Sequence, residues 1–148
     1  MPITLRETRD EIGIVFDCEG VVTGQDMIQA NKLLLSSPER VKKLLFGMID
    51  QTNVTSVDFS VPDLETIAVQ DKAIAAKARK GAVVAVVSPS NIQYGLARMW
   101  QALVDETGWD TMVFRSREEA EDWIKKELRE NFGIESTVAA STPSSRDS

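Results

Sequence analysis

The sequence predicts an α/β fold built on a single mixed, mostly parallel five-stranded sheet with packed helices. The segments 44–49 and 82–87 are apolar without alternation, which is typical of strands covered on both faces of a parallel sheet. Helical segments follow these strands, and such strand-helix units require parallel pairing with right-handed crossovers. A hairpin at the N-terminus adds one antiparallel strand. The predicted element order is therefore ββαβαβαβα.

The predicted strands are short and differ in their periodicity. The segments 3–7 and 12–18 form the hairpin around a turn at 9–11, and the second of them alternates in polarity as a half-buried strand does. The last strand covers 111–115. Strands without alternation need cover on both sides. We therefore expect burial of Leu45, Met48, Val84 and Val86.

Helix starts are marked by a hydroxyl residue followed three positions later by an acid. Pro38 either closes the first helix or begins a further short turn. A helix over 91–106 follows Ser90, and its predicted inward stripe comprises Ile92, Leu96, Met99, Trp100 and Leu103. The capped helices are predicted over about 24–36 (Thr23 with Asp26), 61–80 (Ser60 with Asp63) and from 116 onward (Ser116 with Glu119).

Length and composition predict one domain over residues 1–130 and a disordered tail over 131–148. The tail lacks an apolar stripe, although Phe132 and Ile134 could pin its first residues. No run of 18 apolar residues occurs, so we expect no transmembrane segment. The single cysteine, Cys18, cannot form an internal disulfide. The N-terminus lacks the basic and apolar regions of a signal peptide. Together these features predict a cytoplasmic protein.

The charge and the residue types argue against several functions. A net charge of −6 with a pI of about 4.7 disfavours binding to nucleic acid. The chain contains no histidine, the commonest general base and metal ligand near neutral pH. A Ser-His-Asp or Cys-His catalyst cannot be assembled, and too few ligands are left for zinc. We therefore expect no cofactor, no metal and no enzyme of these kinds.

The segment 50–60, Asp-Gln-Thr-Asn-Val-Thr-Ser-Val-Asp-Phe-Ser, is the most informative part of the chain. It reads as a buried strand that ends in Asp50, a polar turn, and a short extended piece that ends in Asp58. Pro62 then opens a helix. This order resembles the phosphorylation-site region of STAS domains, the fold of sulphate-transporter tails and anti-sigma-factor antagonists.

The sequence is also similar to a family of small bacterial proteins that resemble sporulation-type anti-sigma-factor antagonists and are compared with CRAL-TRIO lipid carriers. The segments 83–89, 94–100 and 113–124 carry this likeness, which covers about residues 3–128. The resemblance implies a STAS-like fold and a regulatory or binding role. A fold alone establishes no activity.

The phosphate-accepting position departs from the pattern of that family. In anti-sigma-factor antagonists the helix begins Asp-Ser-Ser-Gly, and the first serine takes the phosphate. In this chain Asp58 matches the aspartate, Phe59 replaces the acceptor, Ser60 matches the second serine and Val61 replaces the glycine. Ser60 is either a phosphorylation site shifted by one residue or only a helix cap.

Two further sets of polar residues are candidates for binding. Helical spacing places Asp71 within an apolar stripe, where it either lines a pocket or bonds a backbone donor or a basic neighbour. Asn31 on the first helix raises the same question. Tyr94 and Arg98 are four residues apart, so they can stack on an outward face that contacts a partner or an anion, or that is merely solvated.

The leading interpretation is a non-catalytic regulatory or binding module that acts through protein contact or an apolar, lipid-like ligand. Its partner-binding candidates are Asp50, Thr52, Asp58, Ser60, Asp71, Tyr94 and Arg98. The alternative is a metal-free enzyme or small-molecule binder that uses the carboxylates of Asp17, Asp50, Asp58 and Asp71. A homodimer stays open, and so does peripheral membrane contact through the basic group of Lys72, Lys77, Arg79 and Lys80.

Overall fold

The computed structural model describes residues 2–135, which form one five-stranded sheet with helices on both faces. The strands are ordered β1-β2-β3-β4-β5; β1 and β2 are antiparallel and the other neighbours are parallel. This confirms the predicted fold class. The elements are β1 Ile3–Glu7, β2 Gly13–Thr23, α1 Gly24–Leu35, α2 Pro38–Lys43, β3 Phe46–Asp58, α3 Val61–Lys77, β4 Val83–Val87, α4 Asn91–Val104, a 3-10 turn Asp105–Thr107, β5 Asp110–Phe114 and α5 Arg117–Phe132.

The side chains of β4 show how the sheet divides the core into two. Val84 and Val86 belong to the cluster under α1, α3 and α4, whereas Val83, Ala85 and Val87 belong to the cluster under α5. Alternate side chains of a strand point to opposite faces, so a strand that is apolar throughout supplies both clusters. The expected burial is confirmed for Leu45, Met48, Val84 and Val86.

The predicted polar turn after Asp50 is wrong, because β3 continues without a break from Phe46 to Asp58. The predicted end of the second strand at Cys18 is also wrong, since β2 reaches Thr23. The two extensions pair with each other in parallel, with register shifts around Cys18 and Gly20. Pairing satisfies the backbone groups of a polar segment, so the hydroxyl-rich residues lie on a strand and not in a loop.

The helix starts follow the predicted caps, except that the box at Ser116 is incomplete: its hydroxyl accepts the N–H of Glu119, but the Glu119 carboxylate accepts that hydroxyl and not the N–H of Ser116. The Thr23 hydroxyl accepts the backbone N–H of Asp26 at 3.1 Å, and the Asp26 carboxylate accepts the N–H of Thr23 at 2.9 Å. Pro38 begins a separate short helix, α2, which decides between the two roles considered for it. No helix within residues 2–135 is long and apolar enough to cross a membrane.

The last helix extends to Phe132, past the predicted domain boundary at residue 130. Phe132 and Ile134 pack against the cluster under α5. The rest of the predicted tail, 136–148, lies outside the described residues. The domain boundary therefore stays a prediction.

Candidate functional site

Asp50 and Thr52 belong to an ion-pair network on the α5 side of the sheet. Asp50 is buried, and its Oδ1 accepts both the backbone N–H and the hydroxyl of Thr52, at 2.9 and 2.5 Å. Its Oδ2 accepts Nη1 of Arg117 at 2.9 Å. Asp17 lies opposite Asp50 in the sheet, 3.6 Å from the same Arg117 nitrogen, and it also accepts Nε of Arg6 at 2.5 Å.

Arg6 and Arg117 pair with the three carboxylates of this network, those of Asp17, Asp50 and Glu121. Burial opposes the charge of Arg117, but a hydrogen bond to Glu121 and the charge and hydrogen bond of Asp50 outweigh it, so the pKa of Arg117 lies above its ordinary value. The network ties the first residue of α5 to β2 and β3. Within residues 2–135 no group of three or more Cys, Asp or Glu side chains is placed to hold a metal ion.

Asp58 and Ser60 lie where β3 enters α3, beside the start of α1. Thr23 is paired with Asp58 in the sheet, and a Cβ placed on Gly24 would lie 2.2 Å from Oδ2 of Asp63. The Ser60 hydroxyl accepts the N–H of Asp63 at 3.1 Å, and the Asp63 carboxylate accepts the N–H of Ser60 at 3.0 Å. The predicted capping box at Ser60 is thus present, and Asp58 and Ser60 are exposed.

Asp71 is buried between three helices and accepts two side-chain hydrogen bonds. Asn31 of α1 donates Nδ2 to Oδ1 at 3.1 Å, and Trp100 of α4 donates Nε1 to Oδ2 at 2.6 Å. Asn31 also donates to Oε1 of Gln70, whose Nε2 donates to the carbonyl of Ile28. The expected backbone or basic partner of Asp71 is wrong, because α1 and α4 bring neutral side-chain donors to it.

Burial raises the pKa of Asp71 to about 7, although the hydrogen bonds from Trp100 and Asn31 both lower it. Among the described residues, no charged group contributes to this shift. Asp71 therefore changes its charge near neutral pH inside the core, which an exposed aspartate does not do.

Two cavities meet at Asp71, on the side of the sheet covered by α1, α3 and α4. Both are lined by Asp71, Asn31, Trp100 and Ile49, and each has a free volume of about 50 Å³. The first includes the half-buried Phe59, the residue that replaces the phosphate acceptor in the resemblance described above. The second extends toward Trp109. Asp71 thus lines a pocket as well as bonding its neighbours.

The predicted stack of Tyr94 on Arg98 is wrong. Arg115, at the end of β5, lies over the Tyr94 ring with Cζ 4.2 Å from the centroid, and it donates to Oδ1 of Asn91 at 2.9 Å. Arg98 is exposed beside a shallow polar depression that also includes Gln101 and Asp105.

The inward stripe predicted for α4 is also largely wrong. Ile92 is 72% exposed, Met99 47% and Leu103 37%, and Leu96 is half-buried. The side chains that face the core are Gln93, Ala97, Trp100 and Val104. The prediction assumed that the most apolar residues of the helix face the core. Ala97 is small and Gln93 is polar, so that assumption missed them.

The α4 helix therefore has three faces. At about 100° per residue, the core face occupies one side, and the polar face with Tyr94, Arg98, Gln101 and Asp105 lies beyond it. The remaining arc, roughly 120° wide by the same spacing, carries no charged residue. We name it the α4 apolar face; it comprises Ile92, Gly95, Leu96, Met99, Ala102 and Leu103.

Sequence reasoning missed two buried polar contacts. The Ser88 hydroxyl donates to Oε1 of Gln51 at 3.0 Å, and Trp100 donates to Asp71. A signal for the second pair was present, because a buried Trp N–H usually finds a partner and both residues lay on predicted inward stripes. No local pattern brings Gln51 of β3 to Ser88 after β4.

Comparison with solved structures places this architecture among SpoIIAA-like folds. The anti-sigma-factor antagonist SpoIIAA in its unphosphorylated form is 13% identical, with a TM-score of 0.52, over 82% of this chain and 96% of that one. The Bacillus cell-fate determinant SpoIIAA in its phosphorylated form is 11% identical, with a TM-score of 0.53, over 82% of this chain and 98% of that one.

A third similar structure is an uncharacterised DUF3478-family protein with a SpoIIAA-like fold from Shewanella loihica. It is 21% identical, with a TM-score of 0.47, over 82% of this chain and 91% of that one. No family model and no curated protein sequence matches the chain. The chain is an α/β protein with a STAS-like fold, as its sequence predicted. Within that class, the SpoIIAA structures share its architecture.

Proposed function

We propose that this protein is a non-catalytic regulatory module that binds a partner protein through the α4 apolar face. The observation that carries the proposal is the exposure of Ile92, Met99 and Leu103 on one side of a helix. A contiguous exposed apolar surface marks an interaction site more often than chance exposure does. The SpoIIAA-like fold supports the same class of function, since SpoIIAA is an anti-sigma-factor antagonist.

The spacing of the face favours a helix as the contacting element of the partner. Ile92, Leu96, Met99 and Leu103 follow one another at intervals of four, three and four residues. This is the spacing with which two helices pack side by side. The exposed Gly95 and Ala102 leave room for close approach of a second backbone.

The carboxylates do not favour the enzyme alternative. Asp17 and Asp50 come together but share Arg117, which removes the free acid and base that catalysis requires. Asp58 is exposed at a strand end and Asp71 is buried on α3. The buried, unpaired Cys18 supports a cytoplasmic location as part of the proposal.

The basic group does not favour membrane contact as part of this proposal, because α3 ends at Lys77 and leaves Arg79 and Lys80 beyond the helix. Two residues of the basic group already contact other side chains. Lys72 approaches Glu106 at 3.9 Å, and Arg79 lies over the Phe132 ring. These contacts belong to opposite sides of the sheet.

Photo-crosslinking from the α4 apolar face tests the partner. A crosslinking amino acid in place of Ala102 identifies the bound protein in its source cells. The purified partner is then titrated against the wild type, Met99→Glu and Leu33→Glu. We expect Met99→Glu to weaken binding at least about tenfold, because a charge is desolvated in an apolar contact. Leu33→Glu, an equally drastic change on exposed α1, should bind as the wild type does. Crosslinking only to a second copy of this chain would replace the proposal with a homodimer.

We further propose that this binding is constitutive and not controlled by phosphate on a serine. Phe59 occupies the acceptor position implied by the resemblance, and the Ser60 hydroxyl is engaged as a helix cap. Phosphopeptide mapping after incubation with host lysate and ATP tests this. Stoichiometric phosphate anywhere within 52–60 would contradict constitutive binding.

A further inference from the structure

Asp71 is a buried carboxylate that bonds no cationic side chain among residues 2–135. It is 7% exposed, and its hydrogen-bond donors are the neutral side chains of Asn31 and Trp100. Within residues 2–135 it forms no salt bridge, whereas the other buried aspartate, Asp50, is paired with Arg117. A carboxylate can accept about four hydrogen bonds, so Asp71 has capacity for further donors.

The two cavities that meet at Asp71 have mostly apolar walls and could hold a ligand. Asp71 is the one ionisable side chain among the described residues that line them. The other walls are mostly aliphatic or aromatic, for example Leu64, Ile67 and Ile74. A single charged anchor within apolar walls is the usual composition of a small-molecule site.

We propose that this cavity binds a short-chain primary amine, whose ammonium group donates to Asp71 and whose alkyl chain fills the apolar space beside it. This inference goes beyond the proposed function and does not depend on it. It assigns to the chain a ligand site on the core side of α4, away from the α4 apolar face and inside the layer formed with α1 and α3.

The charge of Asp71 selects the ammonium group over a neutral one. An uncompensated buried charge is costly, and an opposite charge brought into contact offsets that cost. A bonded ammonium also adds a charge-assisted hydrogen bond, which is roughly twice as strong as a neutral one. A neutral alcohol of the same size gains only the burial of its chain.

The volume limits the ligand to a few heavy atoms. Each cavity of about 50 Å³ has room for roughly four water molecules, at about 10–15 Å³ for each water. An alkyl chain of about four carbons fits this scale. A long-chain lipid does not, unless the surrounding side chains move apart.

Titration with n-butylamine and 1-butanol, followed by NMR at about pH 8, tests the proposal. The indole N–H resonance of Trp100 reports directly, since this group donates to Asp71. We expect the amine to shift that resonance and to bind at least about tenfold tighter than the alcohol. Asp71→Asn should reduce amine binding to the level of the alcohol.

Control variants separate site binding from the general attraction of an acidic protein for cations. Asp58→Asn removes an exposed carboxylate and should leave amine binding unchanged. Equal binding of amine and alcohol to the wild type would overturn the proposal, and this comparison needs no variant to fold. Unchanged amine binding by folded Asp71→Asn would also overturn it. Met99→Glu should bind the amine normally, so failure here and failure of the partner surface are distinguishable.

Discussion

At the scale of single residues, Asp71 connects the packing of three helices with the cavity beneath them. Its two hydrogen bonds join α3 to Asn31 of α1 and to Trp100 of α4. The groups that face it, including Ile49 from β3, are uncharged. One aspartate thus both orders the helical layer and places a titratable group inside it.

The stability of the protein should depend on pH through Asp71. Burial raises the pKa of Asp71 to about 7, so the folded state keeps the proton over a range in which the unfolded state, with its ordinary pKa of 3.8, has lost it. Over that range the unfolded state binds fewer protons, and the free energy of unfolding falls as the pH rises. Asp71→Asn should remove this decline, so that its stability relative to the wild type rises by at most about 4 kcal/mol on going from acidic to above neutral pH. The amide has only one acceptor oxygen for Trp100 and Asn31, which subtracts an amount that does not depend on pH.

Urea titrations of wild type and Asp71→Asn at several pH values between about 4 and 8 measure this gain. The difference between the two proteins isolates Asp71 from the other titrating groups. Asp58→Asn serves as the control, because that side chain is exposed. A gain that stays constant over the whole pH range would contradict the assignment.

Ser60 has a smaller effect that is confined to one helix end. Its hydroxyl and the Asp63 carboxylate satisfy two backbone N–H groups at the start of α3. Ser60→Ala should lower the free energy of unfolding by about 1 kcal/mol without preventing folding. Ser56→Ala, on the exposed edge of β3, is the matched control and should change stability less in the same denaturant titration. Equal losses for the two variants would show that the cap contributes nothing.

At the scale of elements, α4 shows that an apolar stripe does not identify the buried side of a helix. Its core face contains Gln93, whose Oε1 accepts the N–H of Ser90 within the helix cap. Because the Gln93 oxygen is hydrogen-bonded, its burial does not carry the full cost of an unsatisfied polar group. The more apolar residues remain on the accessible side, where they are available for a partner.

The end of α5 should contribute measurably to stability. Phe132 packs against the cluster under α5, Arg79 lies 5.6 Å from its ring centroid, and Asn131 donates to the carbonyl of Gly81 at 3.1 Å. A chain ended after residue 130 should therefore lose about 1–3 kcal/mol, the range for removing a partly buried aromatic side chain. A chain ended after Glu135 should lose less than about 1 kcal/mol, as expected of a tail without an apolar stripe.

Denaturant titration of both shortened chains against the full chain decides this point. Equal stability of the chain ended after residue 130 and the full chain would place the domain boundary where the sequence predicted it. A large loss for the chain ended after Glu135 would instead show that 136–148 packs on the domain.

At the scale of the whole molecule, one sheet forms the wall of both cores. Residues of β3 and β4 alternate between the two clusters, so neither cluster can lose its strands while the other keeps them. Trp100 reports on the first cluster and Trp123 on the second. The two halves of the core should therefore unfold as one cooperative unit.

Two variants with a single tryptophan check this expectation. One keeps only Trp100 and the other keeps only Trp123, with the other two tryptophans replaced in each. In each of them the fluorescence transition in urea should coincide with its own far-UV circular dichroism transition. Separated transitions in either variant would show that one layer of helices unfolds before the other.

The sequence by itself determined the element order, the helix starts and the strands that would be buried. These features depend on local physics: a hydroxyl and a carboxylate at Thr23 and Asp26 satisfy N–H groups within their own turn, and a run such as 83–87 has no polar side to expose. The STAS-like fold was also readable from the likeness of 50–60, although the polar turn expected there is part of β3.

Tertiary structure alone decided which helix faces are covered and what the acids outside the helix caps contact. Asp17 and Asp50 meet only because β2 and β3 pair in that register, and Arg117 reaches both only because α5 returns across the sheet. The partners of Asp71 come from helices far away in the sequence. The accessible side of α4 depends on how its neighbours cover it, since burial is a property of the surroundings and not of the residue type.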